Sequence, residues 1–571
     1  MHAGRSGGPA AGPPESGPSM RMPVLAALLS IAPLGACTAP SHPQPDAVVR
    51  FDLSADPTTL NPLFAHADAA VVEQQLAHLA FEPFFDLDAR GKPVPELVER
   101  IPTAANGGVS SDGRTLTYHL RRGVRWSDGV PLTARDVLFT LRAIMDPANP
   151  VGSREGYELI DRAEAVGPLT VRFHLRRAWA PAVATLFAYG TAPQYVLPEH
   201  VLARQRPLAR APFNAAPSVG DGPFTFVSWA RGDRLVYAAN PRYWRGPPRV
   251  RGLDVRIVPD PGTNLTLLRA GALDFNLIAP AQAATLAGIP GIASVDVPTA
   301  LIAGIAVNVA SPALADPRVR RAIAESIDRR AISTKITLGK YPVADSDRPR
   351  FSWAYDAAVR EPPYDPAAAD ADFDAAGWRY GPDSVRMKEG RRLSLTYVQF
   401  PETTTGVRVA TFVQAQLAQR GVDVAVKSIS NAQLFLPAAE GGMLATGRFD
   451  LAYVPWQMGA DPDDRFLLGC SGATQNYMRY CNAAVQRAED RAAAEPGQAE
   501  RRALYGAIDR TVARDVPIVY LFNPQYVYVY RTRLRGFAPN AFTPTWNAYA
   551  WSIAAAPGRQ DLRGRPGQRS R

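Results

Sequence analysis

Before residue 300 the chain is dominated by short runs in which hydrophobic and polar positions alternate with a period of two. After it, longer runs with a helical period take turns with strand-like ones. Leu116-Thr117-Tyr118-His119-Leu120 and Val171-Arg172-Phe173-His174-Leu175 read as half-buried strands, with His119 and His174 on exposed outward faces. Turns separate such strands at Ser110-Ser111-Asp112-Gly113, Arg125-Trp126-Ser127-Asp128-Gly129 and Arg231-Gly232-Asp233, each holding a residue that tolerates positive φ or bonds its own backbone. Thr133-Ala134-Arg135-Asp136 has capping-box spacing and predicts a helix with Val137, Leu138, Leu141, Ile144 and Met145 as its buried stripe up to Pro147. Asp316-Pro317 and Asp365-Pro366 each supply an N-cap and a proline whose missing N–H does no harm in the first turn. The first predicts a helix with Val319, Ala322, Ile323 and Ile327 on one face, the second a short helix ending at Gly377. A fourth helix is expected over 407–420, with Val409, Phe412, Val413 and Leu417 inward and Gly421 as its stop, feeding the strand Val422-Asp423-Val424-Ala425-Val426. This alternation predicts a separate α/β lobe after residue 300, its sheet mixed or parallel.

Composition narrows the class without choosing a function. With 571 residues, 46% hydrophobic and 20% charged, the chain is neither a disordered polymer nor a polytopic membrane protein. It is long enough for about three folded units. The formal charge of +10 suggests nucleic acid until its distribution is considered. Arg559, Arg563, Arg565, Arg569 and Arg571 against Asp561, with Arg5 and Arg21 against Glu15, place half of it at the two ends. The middle has no basic stripe that could follow phosphates, so no nucleic-acid partner is expected. Residues 557–571 read as a disordered basic tail.

The three cysteines carry more. Val24 to Ala36 form an apolar run behind Arg21 that is too short to span a bilayer, and it reads as the core of a cleaved export signal. Leu34-Gly35-Ala36-Cys37 also resembles a bacterial lipobox, which implies a lipidated Cys37, loss of residues 1–36 and a lipid anchor in the membrane. An ordinary signal peptide is the alternative. Because the Gly- and Pro-rich stretch Met1 to Ser19 has no place in such a signal, translation is expected to start at Met20 or Met22. Cys470 and Cys481 would then be the remaining thiols of an oxidising compartment, and a disulfide between them is expected. Metal binding is the rival reading, disfavoured because no His lies within 250 residues of either.

Catalytic signatures are missing: there is no H-E-x-x-H, C-x-x-C, Walker G-x-x-x-x-G-K-[ST] or G-x-G-x-x-G. The G-x-S-x-G match at Gly4-Arg5-Ser6-Gly7-Gly8 lies in the leader and is noise. His66 and His78 could flank a site, but a surface or helix-packing role fits each better. The reading is a protein that is not an enzyme and has no cofactor and no metal.

Taken together, the segments resemble the extracellular solute-binding proteins of ABC importers that include dipeptide-, oligopeptide- and nickel-binding proteins. The markers begin with Asp56-Pro57-Thr58-Thr59-Leu60-Asn61-Pro62, Asp112-Gly113-Arg114-Thr115-Leu116 and Trp126-Ser127-Asp128-Gly129-Val130-Pro131-Leu132-Thr133. They continue through Gly220-Asp221-Gly222-Pro223-Phe224, Asn240-Pro241-Arg242-Tyr243-Trp244, Asp316-Pro317-Arg318-Val319-Arg320-Arg321 and Tyr364-Asp365-Pro366 to Ala376-Gly377-Trp378. Each is weak alone, but they are collinear over residues 46–553.

The resemblance implies an α/β, two-lobed periplasmic-binding-protein fold of the Venus-flytrap kind, type II-like, with an extra subdomain. The first lobe would comprise 46–64, 191–298 and 523–556, the extra subdomain 65–190 and the second lobe 299–522. Crossings would lie near Thr299 to Asn308 and Val519 to Pro524. It also implies a ligand site from Phe64, His66 and Asp68 on one lobe and Trp456, Gln457, Met458 and Asp461 on the other, with Asn308 at the crossing. Peptide-binding members carry an aspartate for the peptide's ammonium where Met458 stands here. Asp461 or Asp68 would take that task, or the ligand has no free N-terminus there. Trp456 reads equally well as a core aromatic or as a stacking wall, and Asp461 and Asp463 read also as caps of the next helix. The implied activity is capture of a small solute, a short peptide or peptide-like compound, for a membrane permease with its ATPase subunits. The implied setting is a lipid-anchored monomer on the periplasmic or outer face of a bacterial membrane. A metal chelate, a glycoside or an opine-like conjugate as ligand, a sensor built on the same cleft, and less readily a secreted hydrolase are the alternatives.

Overall fold

The computed structural model describes residues 47–65, 70–188, 194–471 and 473–554. Cys37, His66, Asp68, the leader 1–36 and the tail 557–571 lie outside them. Every second side chain of Val48–Leu53 is buried, as a strand with one face on a core requires. It runs parallel to Gly252–Ile257, and Arg234–Ala239 and Phe224–Ala230 extend the sheet antiparallel. A second sheet sets Gln525–Arg531 antiparallel between Phe275–Ile278 and Ile292–Pro298. The two are stitched where Arg50 N–H donates to Asp274 Oδ2 at 2.8 Å and Asn276 Nδ2 to Asp52 Oδ1 at 2.6 Å.

A third sheet, Thr115–His119, Thr170–Leu175 and Ile160–Gly167, buries Leu116, Tyr118, Val171 and Phe173. His119 and His174 sit on its outer face, half-buried and not exposed, because Thr170 and Thr115 on the neighbouring strands pack against their rings. His78 is buried, its Nε2 3.5 Å from Asp86. The helix Ala134–Met145 begins with the capping box, Asp136 Oδ2 accepting the Thr133 N–H at 2.8 Å. Its buried stripe is rotated from the expected one. Phe139 and Ala143 are buried, Leu138 is half-buried, and Met145 is exposed. The cause is a second covering segment: Thr140 Oγ1 accepts the Leu197 N–H and Asp136 Oδ1 the Glu199 N–H, so 197–199 close over a face that periodicity alone counted as polar.

Beyond residue 300 the sheet is mixed. Its order is Asp423–Ser428, Ser394–Gln399, Leu451–Gln457, Leu301–Val307, Ile518–Phe522, the first two pairings parallel and the last two antiparallel. The helices Pro317–Glu325, Pro366–Ala375 and Thr404–Ala418 flank it. The last starts three residues before the expected position because the Thr403 side chain accepts the Gly406 N–H and caps it there.

The hydrophobic core divides accordingly. One cluster runs from Val49 to Ala300 and resumes at Tyr528 to Trp551, while another holds Ile302 to Phe522. Two strand pairs pass from one to the other: Ile292–Pro298 leads into Leu301–Val307, and Ile518–Phe522 into Gln525–Arg531. The crossings are bonded together, Thr299 Oγ1 donating to Pro524 O at 2.6 Å and Asn523 Nδ2 to Thr299 O at 3.1 Å. Cys470 and Cys481 are disulfide-bonded, with a Cα–Cα distance of 4.6 Å. Among the described residues no helix is long and apolar enough to cross a membrane.

Candidate functional site

Elements belonging to the two cores face each other across a cavity of about 720 Å³. Phe85, Leu87, Ile101 and Trp179 line it from the first, Phe351 and Trp353 from the segment before residue 360, and Asp461 and Arg501 add polar lining. That volume lies within the usual range of small-molecule sites, and mostly apolar walls with a few polar groups are their usual make-up. A smaller pocket, lined by Ser153, Glu155, Tyr157, Asp461 and Asp463 among others, adjoins it and shares Trp179 and Asp461.

Trp179 is positioned by a backbone feature that only glycine supplies. Gly156 has φ +82°, and a Cβ on it would lie 2.1 Å from the Trp179 ring. The next residue ties the indole to the other side, since Ala180 N–H donates to Ala493 O at 2.7 Å. Buried at the cavity wall, the indole N–H has no acceptor among the described residues. Gly152 has the same close-approach role toward the first loop: its backbone lies so near the Ala65 carbonyl that a Cβ would meet the oxygen at 2.4 Å.

The charges divide into matched and unmatched groups. Arg501 Nη1 and Nη2 hold Asp461 Oδ2 and Oδ1 at 2.8 and 2.5 Å. Burial works against the charge on Arg501, but Asp461 outweighs it and raises the guanidinium's pKa. Arg465 likewise grips Asp463. Glu155 has no ion-pair partner among the described residues. Its pKa is raised, first by desolvation and then by Asp463 and Glu158, with Arg465 opposing, although the residue as a whole is exposed.

Of the residues expected at the site, Asp461 lines both cavities. Phe64 is buried in the first core and Met458 in the second, where its N–H donates to Ala300 O at 2.9 Å. Trp456, on the strand Leu451–Gln457, is 1% exposed, its indole N–H unpartnered among the described residues. Gln457 ends its strand half-buried opposite Leu301. Asn308 bonds backbone on all sides, donating to Gly447 O and Phe449 O and accepting the Ala310 N–H. Trp179, Glu155, Trp353 and Arg501 were not legible as site residues. Gly156 meets Trp179 across a chain separation that exceeds any local pattern.

A family model described as bacterial extracellular solute-binding proteins, family 5 Middle, matches residues 92–478. The chain is similar to Protein XP55 of Streptomyces lividans, 29% identical over 526 residues, which cover 90% of this chain and 91% of the relative. It is 28% identical over 465 residues to the di/tripeptide-binding protein 2 of Pseudomonas aeruginosa, with 76% and 84% covered. Its fold is similar to that of the oligopeptide-binding protein AppA from Bacillus subtilis in complex with a nonapeptide, with a TM-score of 0.71, 23% identity and coverage of 89% and 99%.

Proposed function

The chain belongs to the bacterial extracellular solute-binding proteins of family 5, the binding components of ABC importers, and from that membership we propose that it captures a short peptide or peptide-like solute by closure of two lobes. The observation that carries this is the cavity between the two cores, with aromatic walls on both sides and a strand crossing at Thr299 and Asn523. The lobes are 46–64, 191–298 and 523–556 with the subdomain 65–190, against 299–522. Thr299 to Asn308 and Val519 to Pro524 are the hinge. A ligand favours the closed form only as far as it binds that form better. Trp179 and Glu155 on one side and Trp353 and Asp461 on the other give it contacts that need both lobes at once.

Glu155 is the ammonium anchor in this reading. The position three residues before Asp461-Pro462 is Met458, which offers no charge, and Asp461 is already matched by Arg501. A charged hydrogen bond at Glu155 contributes about 1.5–3 kcal/mol, so Glu155→Gln should weaken binding of a tripeptide roughly 10- to 150-fold. Native mass spectrometry of protein purified without denaturation should find a peptide-like mass on the protein, and calorimetry of wild type and Glu155→Gln with free and N-acetylated tripeptides tests the anchor. Equal affinity for both peptides in wild type would reject it, and a bound chelate or glycoside would favour the alternative ligand classes. Recovery of the peptide unchanged is expected of a carrier that is not an enzyme. The protein acts as a monomer held by lipid on Cys37. Cys37→Ser should leave the membrane fraction, since stable anchoring takes more than one acyl chain and this variant has none.

A further inference from the structure

Behind the ligand-facing segment lies a charge cluster that solute capture does not use. Asp464 follows Pro462 by two residues, Asp347 and Arg348 come from the segment before Trp353, and Asp509 stands on the helix Gln498–Asp515. Glu489, on the helix Ala483–Ala494, interacts electrostatically with Asp464 and Asp347. All five are buried. One carboxylate oxygen from each aspartate lies within 4.8 Å of the other two. Arg348 reaches Asp464 Oδ2 at 2.6 Å, Asp509 Oδ1 at 3.4 Å and Asp347 Oδ2 at 3.8 Å, and it also donates to Pro462 O.

One guanidinium cannot balance four carboxylates. Asp347 Oδ2, Asp464 Oδ1, Asp509 Oδ2 and both oxygens of Glu489 meet no hydrogen-bond donor among the described residues, while the Asp347 and Asp464 carboxyls lie within hydrogen-bonding reach of each other. Tyr520 Oη, which faces Asp347 and Asp509, has no partner there either. The neighbouring charges give no relief, because Arg501 is matched to Asp461 and Arg465 to Asp463. Left charged and unpaired, such oxygens cost several kcal/mol each.

We propose that Asp347, Asp464, Asp509 and Glu489 form a site for one hard divalent cation of the Ca²⁺ type, which locks the ligand-facing segment against the two helices behind it. The donors are all oxygen, with no Cys or His among them, which selects hard ions. Oxygens up to 4.8 Å apart suit an ion between them at the Ca²⁺ distance of about 2.3–2.6 Å, and are wide for Mg²⁺ at about 2.0–2.1 Å. Glu489 has two more unpartnered oxygens, and the free oxygens of Asp464 and Asp509 are not the ones Arg348 holds, while that of Asp347 lies 3.8 Å from it. The ion would thus add to the guanidinium's grip without displacing it. It would tie 347–348 and 464 to both helices, next to the Asp461 lining of the cavity.

The test uses the full chain stripped on an immobilised chelating resin, so that no soluble chelate enters the ligand cavity. Elemental analysis of unstripped protein should find about one equivalent of Ca²⁺. Added CaCl₂ at 100 times its Kd should raise the folded-to-unfolded ratio about 100-fold, with MgCl₂ less effective. Tb³⁺ should bind with emission excited through Tyr520 and Tyr505 and be displaced by Ca²⁺. This arm needs no variant. Glu489→Gln, if folded by circular dichroism, should bind Ca²⁺ at least tenfold more weakly. Absence of stoichiometric metal, with no response to CaCl₂, MgCl₂ or MnCl₂ and no Tb³⁺ emission, would overturn the site. In that case unfolding that depends on pH and not on cations would assign the balance to shared protons.

Discussion

Replacing Arg501 by Met keeps much of its volume and removes the counter-charge of Asp461 at the cavity wall. The pair is bidentate, with side chains 7% and 11% exposed. Arg501 is also held by Tyr505, to whose Oη its Nη2 donates at 3.0 Å, and by the Trp353 ring, 5.2 Å from its guanidinium carbon. Breaking a buried pair from one side costs about 3–5 kcal/mol, whereas an exposed pair contributes about 0–1 kcal/mol. Asp461 keeps one donor in the variant, the Asp463 N–H at 3.1 Å, and its cavity side can be hydrated. The expected loss is therefore at the low end, about 3 kcal/mol, with about 2 kcal/mol of it as coupling in a cycle with Asp461→Asn. Urea unfolding of wild type, Arg501→Met, Asp461→Asn and the double variant measures both. A loss below about 1 kcal/mol with no coupling would mean that solvent screens the pair and that the cavity wall is not held by it. Peptide affinity should change only a few-fold, since Glu155 and not Asp461 is the assigned anchor.

Three further outcomes are expected. Glu361 is fully buried, and burial, opposed by Arg329 and the Tyr520 N–H, pushes its pKa from 4.5 to about 8. The folded state thus keeps a proton that the unfolded chain has lost between these values, so this group's stabilisation falls as pH rises through that window. Glu361→Gln should flatten the slope between urea midpoints at pH 5 and pH 8, and an unchanged slope would refute the assignment. Trp456→Ala should cost about 3–5 kcal/mol as the loss of a core aromatic; lost peptide affinity with intact stability would instead make Trp456 a wall of the site. Reducing Cys470–Cys481 should lower stability by about 3 kcal/mol or less, seen as an earlier urea midpoint with dithiothreitol that is absent in a double Ser variant.

Local chemistry was legible wherever a few adjacent residues decide the outcome. Thr133 to Asp136, Asp316-Pro317 and Asp365-Pro366 all start helices, because a side-chain cap and a proline act within one turn. The register of Leu116 and Tyr118 followed from alternation. Where a distant segment decides, the pattern failed. The helix Ala134–Met145 buries Phe139 and not Met145 because 197–199 cover it. The cavity draws on residues near 85, 179, 353 and 501, which no window joins. Asp347, Arg348, Asp464, Glu489 and Asp509 are scattered over more than 160 positions, and only the fold buries them.

Capture by closure makes one direct demand on the molecule in solution. Small-angle scattering of the full chain, titrated with a tripeptide whose binding is followed in parallel by calorimetry, should show the radius of gyration fall in proportion to occupancy, and Glu155→Gln should need a correspondingly higher peptide concentration for the same change. Saturation of the wild-type protein with no change in its radius of gyration would contradict closure around the ligand.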